Sequence, residues 1–277
     1  MVTVGVDHDG GSEMIRSLNG FSVTRTPANT AAAPTVLLIH GFLDDASIWE
    51  GLVDRLGGEV GAVRYDLPGF GARVGSVEEA RGATLESLAA EAGEIVEGID
   101  GPVIVVGQSL GTQVAELVAA RHQHRVRGLV LLTPVPLGGT QLPAEVIAPF
   151  GALGGDRIAQ RSLRRELAPN LGEEQLDRLT DIGAPVAAGV VSHYVDVWNG
   201  GVSNPPATSA FGGPVLIVGG GADAFSNEQV VGAVSARFAD ADVKVIEKGG
   251  HWVHFEHPGA VAAMILDFAD ATAGVAS

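Results

Sequence analysis

PVIVVGQSLG, residues 102–111, carries an apolar run that passes without a spacer into a Gly-x-Ser-x-Gly turn at Gly107, Ser109 and Gly111. A serine hydroxyl is a weak nucleophile at neutral pH. It must be thrust out of the backbone toward a base, and a tight strand-to-helix turn does this only where the flanking residues are tiny. Gly107 and Gly111 meet that demand. Beyond the turn, Leu110, Val114, Leu117 and Val118 fall at i, i+4, i+7 and i+8, the spacing of a helix with one apolar face. The first amides of such a helix would point where negative charge develops. In a chain with 39 glycines the pentapeptide alone can arise by chance. The strand before it and the helix after it give it mechanical meaning.

Outward from this turn, strands and helices alternate. Upstream come TVLLI (35–39), a helix announced by Ser47 and Glu50 as a capping box, and AVRY (62–65). A second helix follows Thr84, with Leu88, Ala92, Ile95, Val96 and Ile99 on one face, and GLVLLT (128–133) closes this half. Such alternation predicts a parallel sheet. From about Leu137 to Gly213 the texture changes: β-branched runs vanish, helix-like segments such as DRIAQRSLRREL (156–167) take over, and Pro169, Pro185, Pro205 and Pro206 punctuate them. PVLIV (214–218), a helix after Ser226, VKVIE (243–247) and a helix carrying Val261, Met264, Ile265 and Phe268 then resume the earlier pattern. The expected organisation is an α/β core of residues 1–136 and 214–277, interrupted by a helical cap of residues 137–213.

The 277 residues, 46% of them hydrophobic, suffice for one large core with an insertion. A formal charge of −16 argues against nucleic acid and acidic membrane surfaces as partners. The absence of cysteine closes thiolate chemistry and sulfur-built zinc sites, and it fits a reducing compartment. The opening MVTVGVDHDGGSEM has neither a basic nor an apolar signal region, so a cytoplasmic location is expected. No stretch approaches the roughly 18 uninterrupted apolar residues of a membrane span.

Ser109 needs a base. Of eight histidines, only His251, in EKGGHWVHFEHP (247–258), follows a strand and a glycine pair in a turn that could hold it over a sheet edge; His40, His254 and His257 are its nearest rivals. The imidazole in turn needs a buried carboxylate to fix its tautomer, and Asp223, five residues past Val218, fits. The order Ser109, Asp223, His251 is the one this elbow architecture uses.

On these residues the chain resembles the α/β-hydrolase superfamily, in its cap-bearing, cofactor-free branch of carboxylesterases and related small-molecule hydrolases. The likeness spans nearly the whole chain and includes His40, Gly41 and Phe42 after TVLLI, DLPGFG (66–71), GGGAD (219–223) and GHW (250–252). It implies an α/β-hydrolase fold, with a mostly parallel central sheet flanked by helices and an inserted helical cap. It further implies oxyanion donors at the Phe42 and Leu110 amides, a structural role for His40, a small-molecule substrate, no cofactor and no metal. Thr112 after Gly111 and Arg73 after the GFG turn depart from the common pattern without disabling it. FLDD after Gly41 and Gln108 before Ser109 depart from relatives that cleave carbon-carbon bonds, although Trp252 would suit them. Ser109 itself speaks against relatives with an aspartate nucleophile. What remains is a serine hydrolase of a carboxylic ester, lactone or thioester. The alternatives are a carbon-carbon hydrolase or perhydrolase of the same fold, or a ligand receptor with a slow or silent triad. Oligomeric state is not encoded in any motif.

Other patterns compete for attention. Gly219, Gly221 and Ala224 have G-x-G-x-x-A spacing after a strand, with Glu247 ending the next, as in a dinucleotide fingerprint. That loop comes late in the chain, and Asp223 would set a carboxylate beside a pyrophosphate. Arg157, Arg161 and Arg164 share a helix face that reads either as a solvated surface or as a trap for a substrate carboxylate. In the cap, His193, Tyr194 and Trp198 read either as pocket residues or, as an aromatic pair at helical spacing, as core, and Trp198 is taken as a candidate for the pocket. Phe42, Leu110, Phe225, Trp252 and Val253 flank the proposed site and predict a largely apolar pocket, with Trp198, Phe225 and Trp252 as its walls.

Overall fold

The computed structural model describes residues 13–273, and the side chains of residues 17–273. The opening segment read for signals therefore lies outside the described residues, apart from Glu13 and Met14. The strands are β1 (Glu13–Leu18), β2 (Phe21–Thr26), β3 (Thr35–Ile39), β4 (Gly61–Arg64), β5 (Val103–Gln108), β6 (Val126–Leu132), β7 (Val215–Gly220) and β8 (Ala241–Ile246). They form one 8-stranded sheet in the order β1-β2-β4-β3-β5-β6-β7-β8. From β4 to β8 every pairing is parallel, while β1 and β2 run antiparallel at one edge.

The parallel strands are near-continuous apolar runs because helices cover both faces of the sheet. Alternate side chains sort accordingly. Leu37, Ile39, Val103, Val105, Leu129, Leu131 and Ile217 face one core, with α2 (Val77–Arg81), α3 (Leu85–Glu97) and α4 (Leu110–Arg121). Val36, Leu38, Ile104, Val106, Val130, Leu132 and Val218 face the other, with α1 (Glu50–Leu56) and the C-terminal helix Pro258–Ala273. Each fully buried Val, Leu or Ile contributes about 1.5–3 kcal/mol, so the central strands β3, β5, β6 and β7 anchor the molecule.

Register fixes where the loops emerge. Ile39 pairs with Gly107, Gln108 with Leu132, Leu132 with Val218, and Gly220 with Ile246. The segments after β3, β5, β7 and β8 thus leave the sheet along one edge, at the carboxyl ends of its strands, where open α/β sheets bind ligands.

Between β6 and β7 the chain forms α5 (Ala144–Gly151), α6 (Arg157–Leu167), α7 (Glu173–Gly183) and α8 (Ala188–Gly200). Asp156 caps α6 by accepting from the Ile158 and Ala159 amides. No helix among the described residues is long and apolar enough to cross a membrane.

Several local expectations shift. Ser47 is not a helix cap: Asp45 accepts from the Ser47 amide at 2.8 Å and opens a 3₁₀ turn, so that Glu50 begins α1. Thr84 does cap α3, but reciprocally with Ser87, and Ile99 lies beyond that helix. β8 starts two residues before the expected VKVIE, and the helix expected after Ser226, α9 (Glu228–Ser235), is capped by Asn227. Strands β1 and β2 have no counterpart in the sequence reading.

Candidate active site

A single residue, Ser109, separates β5 from α4, and it holds φ 52° and ψ −122°. A backbone of that kind is unfavourable for a side-chain-bearing residue and persists only where the surroundings over-determine it. They do so here. A β-carbon on Gly107 would run into the Gly111 carbonyl, and one on Gly111 into the Ile39 carbonyl. Thr112, the departure noted after Gly111, adds a brace: its hydroxyl donates to the Ser109 carbonyl at 2.6 Å and accepts from the Val135 amide at 3.0 Å.

Asp223 and His251 arrive from the turns after β7 and β8. His251 Nδ1 lies 2.7 Å from Asp223 Oδ2, and Nε2 lies 2.9 Å from Ser109 Oγ. A carboxylate can only accept, so Nδ1 carries the proton and Nε2 presents its lone pair to the serine hydroxyl. The other Asp223 oxygen accepts from the Phe225 amide at 2.8 Å. Burial opposes protonation of His251, but the charge of Asp223 and its hydrogen bond outweigh that, with Asp44 and Glu256 adding, and hold the imidazole above its ordinary pKa.

The His251 backbone is pinned on every side. Its amide donates to the Leu167 carbonyl at 3.0 Å. Its carbonyl accepts from Gln108 Nε2 at 2.9 Å and from the Thr133 hydroxyl at 2.8 Å. Glu256, in the short helix α10 (Val253–Glu256), takes the amides of Gly250 and Trp252 on either side of it. Phe225 and Trp252 meet the ring edge-on, with centroids 5.5 and 5.2 Å away.

The loop after β3 runs beside the serine: a β-carbon on Gly41 would stand 3.0 Å from Ser109 Cβ. The amides of Phe42 and Leu110 meet no protein acceptor among the described residues. Leu110 opens α4, where amides lack intrahelical partners, so this corner has donors to offer an oxyanion.

A pocket opens at Ser109 and His251. Phe42, Trp198, Phe225 and Trp252 line it, whereas the side chains of Leu110 and Val253 pack into the two cores. Phe150, Leu163 and Leu167 complete its apolar wall. Asp44, Gln108, Gln160 and Arg164 line it too; of these, sequence reasoning offered only Arg164 a substrate-facing role, as one of two readings.

The arginine triplet divides. Arg157 pairs with Asp181 at 2.7 Å, and Arg161 with Glu173 and Asp177 at 2.5 and 3.1 Å, on the outer face of α6. Arg164 is 2% exposed and pairs with Asp44 at 3.0 Å inside the pocket wall, so the solvated-face reading does not hold for it. His40 accepts from the Leu67 amide at 3.0 Å through Nε2, and its Nδ1 donates to the Gly41 carbonyl at 2.9 Å, which ties two loops together. His254 is buried against Trp49, away from Ser109. Tyr194 donates to the Pro68 carbonyl within the core, and His193 binds the Ala83 carbonyl. The glycine loop of the dinucleotide pattern packs against the backbone of Glu247, Gly249 and Gly250, and α9 begins only at Glu228. The first-turn amides of that helix, on Gln229 and Val230, are already taken by the Asn227 side chain, which leaves fewer donors for a pyrophosphate. Among the described residues no cluster of His, Asp or Glu could hold a metal ion.

Comparison with known proteins bears out the fold. The sequence matches the model of the Alpha/beta hydrolase family over residues 36–264. It is 27% identical over 257 residues to a pimeloyl-acyl-carrier-protein methyl ester esterase of Neisseria meningitidis, covering 86% of this chain and 94% of that protein. The corresponding esterase of Cronobacter sakazakii is 28% identical, over 80% of this chain and 88% of its own. A solved hydrolase structure from Oleispira antarctica superposes with a TM-score of 0.76 at 18% identity, covering 90% of this chain and 94% of that one.

Proposed function

The chain belongs to the alpha/beta hydrolase family, and we propose that it hydrolyses a carboxylic ester of a small to medium, largely apolar acyl group through an acyl-enzyme on Ser109. The observation that carries this reading is the continuous hydrogen-bonded path from Asp223 through His251 to Ser109, with links of 2.7 and 2.9 Å. The similar proteins from Neisseria meningitidis and Cronobacter sakazakii are methyl ester esterases by name, which supports an ester as the bond broken.

In this mechanism Ser109 attacks the ester carbonyl as His251 Nε2 takes its proton, and Asp223 stabilises the resulting imidazolium. The oxyanion sits on the Phe42 and Leu110 amides. The imidazolium returns its proton to the departing alkoxide, and water then repeats the sequence on the acyl-enzyme. Helices α5 to α8 act as a cap, with Phe150, Leu163 and Trp198 closing the pocket over the serine. A carrier-protein-linked substrate is less favoured than a free small molecule. The chain carries a net charge of −16, and Arg157, Arg161 and Arg165 on α6 are all tied to acidic partners.

The deciding experiment is turnover of activated aryl esters by wild type and Ser109→Ala. The variant should lose several orders of magnitude in kcat, on the order of a million-fold where a complete triad is intact. Normal turnover by Ser109→Ala would remove the acyl-enzyme, and a single stoichiometric burst from wild type would favour a receptor.

A further inference from the structure

Strand β8 ends the sheet, and no strand among the described residues lies beyond it. Its side chains are not those of a blunt edge: Val243 and Val245 are 40% and 56% exposed, whereas the neighbouring β7 is buried throughout. An open edge presents unpaired amides and carbonyls, and apolar residues along it invite a further strand. The Gly221 amide donates to the Ile246 carbonyl, in a register where Gly220 pairs with Ile246, so Ile246 turns its backbone groups toward β7. Alternation along the strand turns those of Lys244 and Asp242 inward as well. It leaves the amides and carbonyls of Ala241, Val243 and Val245 facing out.

The charges on this strand suit one partner in particular. Two copies of a chain with net charge −16 repel one another unless opposite charges meet at their seam. The sequence has two lysines, Lys244 and Lys248, and Lys244 lies 3.0 Å from Asp242 on one face of β8. With a second β8 laid antiparallel so that Val243 stands opposite Val243, the outward backbone groups of Ala241 meet those of Val245, and Asp242 stands opposite Lys244 on both sides of the two-fold axis. The four charges then alternate in sign around a square. On the other face Val243 meets its own copy, with Val245 opposite Ala241. A slip of two residues, the smallest that keeps the outward groups facing one another, sets Asp242 against Asp242 or Lys244 against Lys244. A lone lysine on an edge repels further strands; here the Asp242 beside it answers the incoming lysine.

We propose that β8 is a self-pairing edge: two copies of this chain join through antiparallel β8 strands about a two-fold axis at Val243, in the register that sets Asp242 against Lys244, so that the two sheets become continuous. The proposal stands apart from the esterase reading and needs no ligand.

Sedimentation velocity on the full chain is the test. A seam of one short strand lies at the small end of protein interfaces, so wild type should dimerise with a Kd on the order of 10 µM. Asp242→Lys and Lys244→Asp each set like charges opposite one another at symmetric places, and each should raise Kd by about tenfold or more. An equal mixture of the two variants should recover association to within a few-fold of wild type, because every lysine then meets an aspartate across the seam. A charge pair that served only the fold of one chain would give no such recovery. Val243→Pro removes an outward N–H and leaves the bonds to β7, so it should hold the chain monomeric with its far-UV circular dichroism unchanged. If that variant does not fold, the mixing experiment still decides. A wild type still monomeric at about 500 µM, well above the expected Kd, overturns the proposal. So does a dimer indifferent to both charge variants, assembly that grows beyond the dimer, or a mixture that associates no more tightly than its components.

Discussion

Glu256 holds the backbone of Gly250, its two carboxylate oxygens accepting that amide at 2.9 and 3.0 Å. The same carboxylate takes the Trp252 amide at 3.2 Å, so one side chain brackets His251 from both flanks. Glu256→Ala should cost about 1.5–3 kcal/mol of stability, the range for hydrogen bonds to a charged group. It should also lower kcat by roughly tenfold as the imidazole loses its aim. A purely structural prop would leave the pH profile alone. Because the Glu256 charge helps raise the His251 pKa, Glu256→Gln should instead move the acidic limb to lower pH, and an unmoved limb would deny that role.

The elevated pKa of His251 sets the pH response expected of the proposed mechanism. In the proposed mechanism the imidazole must be neutral, so activity should fall on acidification through the folded-state pKa, which lies above the ordinary 6.5. The acidic limb of kcat/KM should therefore be centred above that value and should fall in Asp44→Asn. A limb centred below it in wild type would contradict the charge arrangement. In folding terms, the stabilisation from a protonated His251 is complete below about 6.5 and lost as pH rises through the folded value.

His254 acts with the opposite sign. Neither of its ring nitrogens has a partner, it stacks on Trp49 at 4.2 Å, and burial, with the nearby His251 adding, lowers its pKa to about 3. Unfolded, it would take a proton near 6.5. Its contribution is therefore present above that pH and drains away toward 3, on the order of 4–5 kcal/mol in all. Urea unfolding of wild type should lose stability between pH 7 and 4 more steeply than that of His254→Phe; equal slopes would rule the effect out.

Ser109 should be a stability liability. Its φ of 52° suits glycine better than any residue with a β-carbon. Ser109→Gly should melt above Ser109→Ala by the equivalent of about 1 kcal/mol, while both are inactive. If the alanine variant proves as stable as the glycine one, the turn stores no strain.

Much of this was legible because it is local. A nucleophile between two glycines, a strand before it and a helix after it all fall within one short stretch, and Asp223 and His251 each follow a strand by a fixed few residues. The family match bears out the fold and the resemblance read from those stretches. What escaped depends on long-range placement. Asp44 meets Arg164 120 residues away. Periodicity puts Arg157, Arg161 and Arg164 on one face but does not reveal that the face dives beneath the surface before Leu167, where Gln160 and Arg164 become core. The hairpin β1–β2 pairs only through β4, and its short, mixed sequence gives it little independent signature. Asp45 outcompetes Ser47 as a cap because its carboxylate reaches both the amide and the hydroxyl of that serine.

The bond from the His251 amide to the Leu167 carbonyl bears on how such an enzyme can diversify. An insert joined to the scaffold only at its ends could be traded among relatives like a cassette. Here the last turn of α6 is stitched to His251, the proposed general base, so a chimaera that replaced residues 137–213 would inherit Ser109 and Asp223 but lose a main-chain anchor of the histidine. Substitutions in α6 must therefore retune rate and selectivity together. The helix α5 has no fully buried residue yet sets Phe150 in the pocket wall, so a directed-evolution library aimed at new substrates is best begun there.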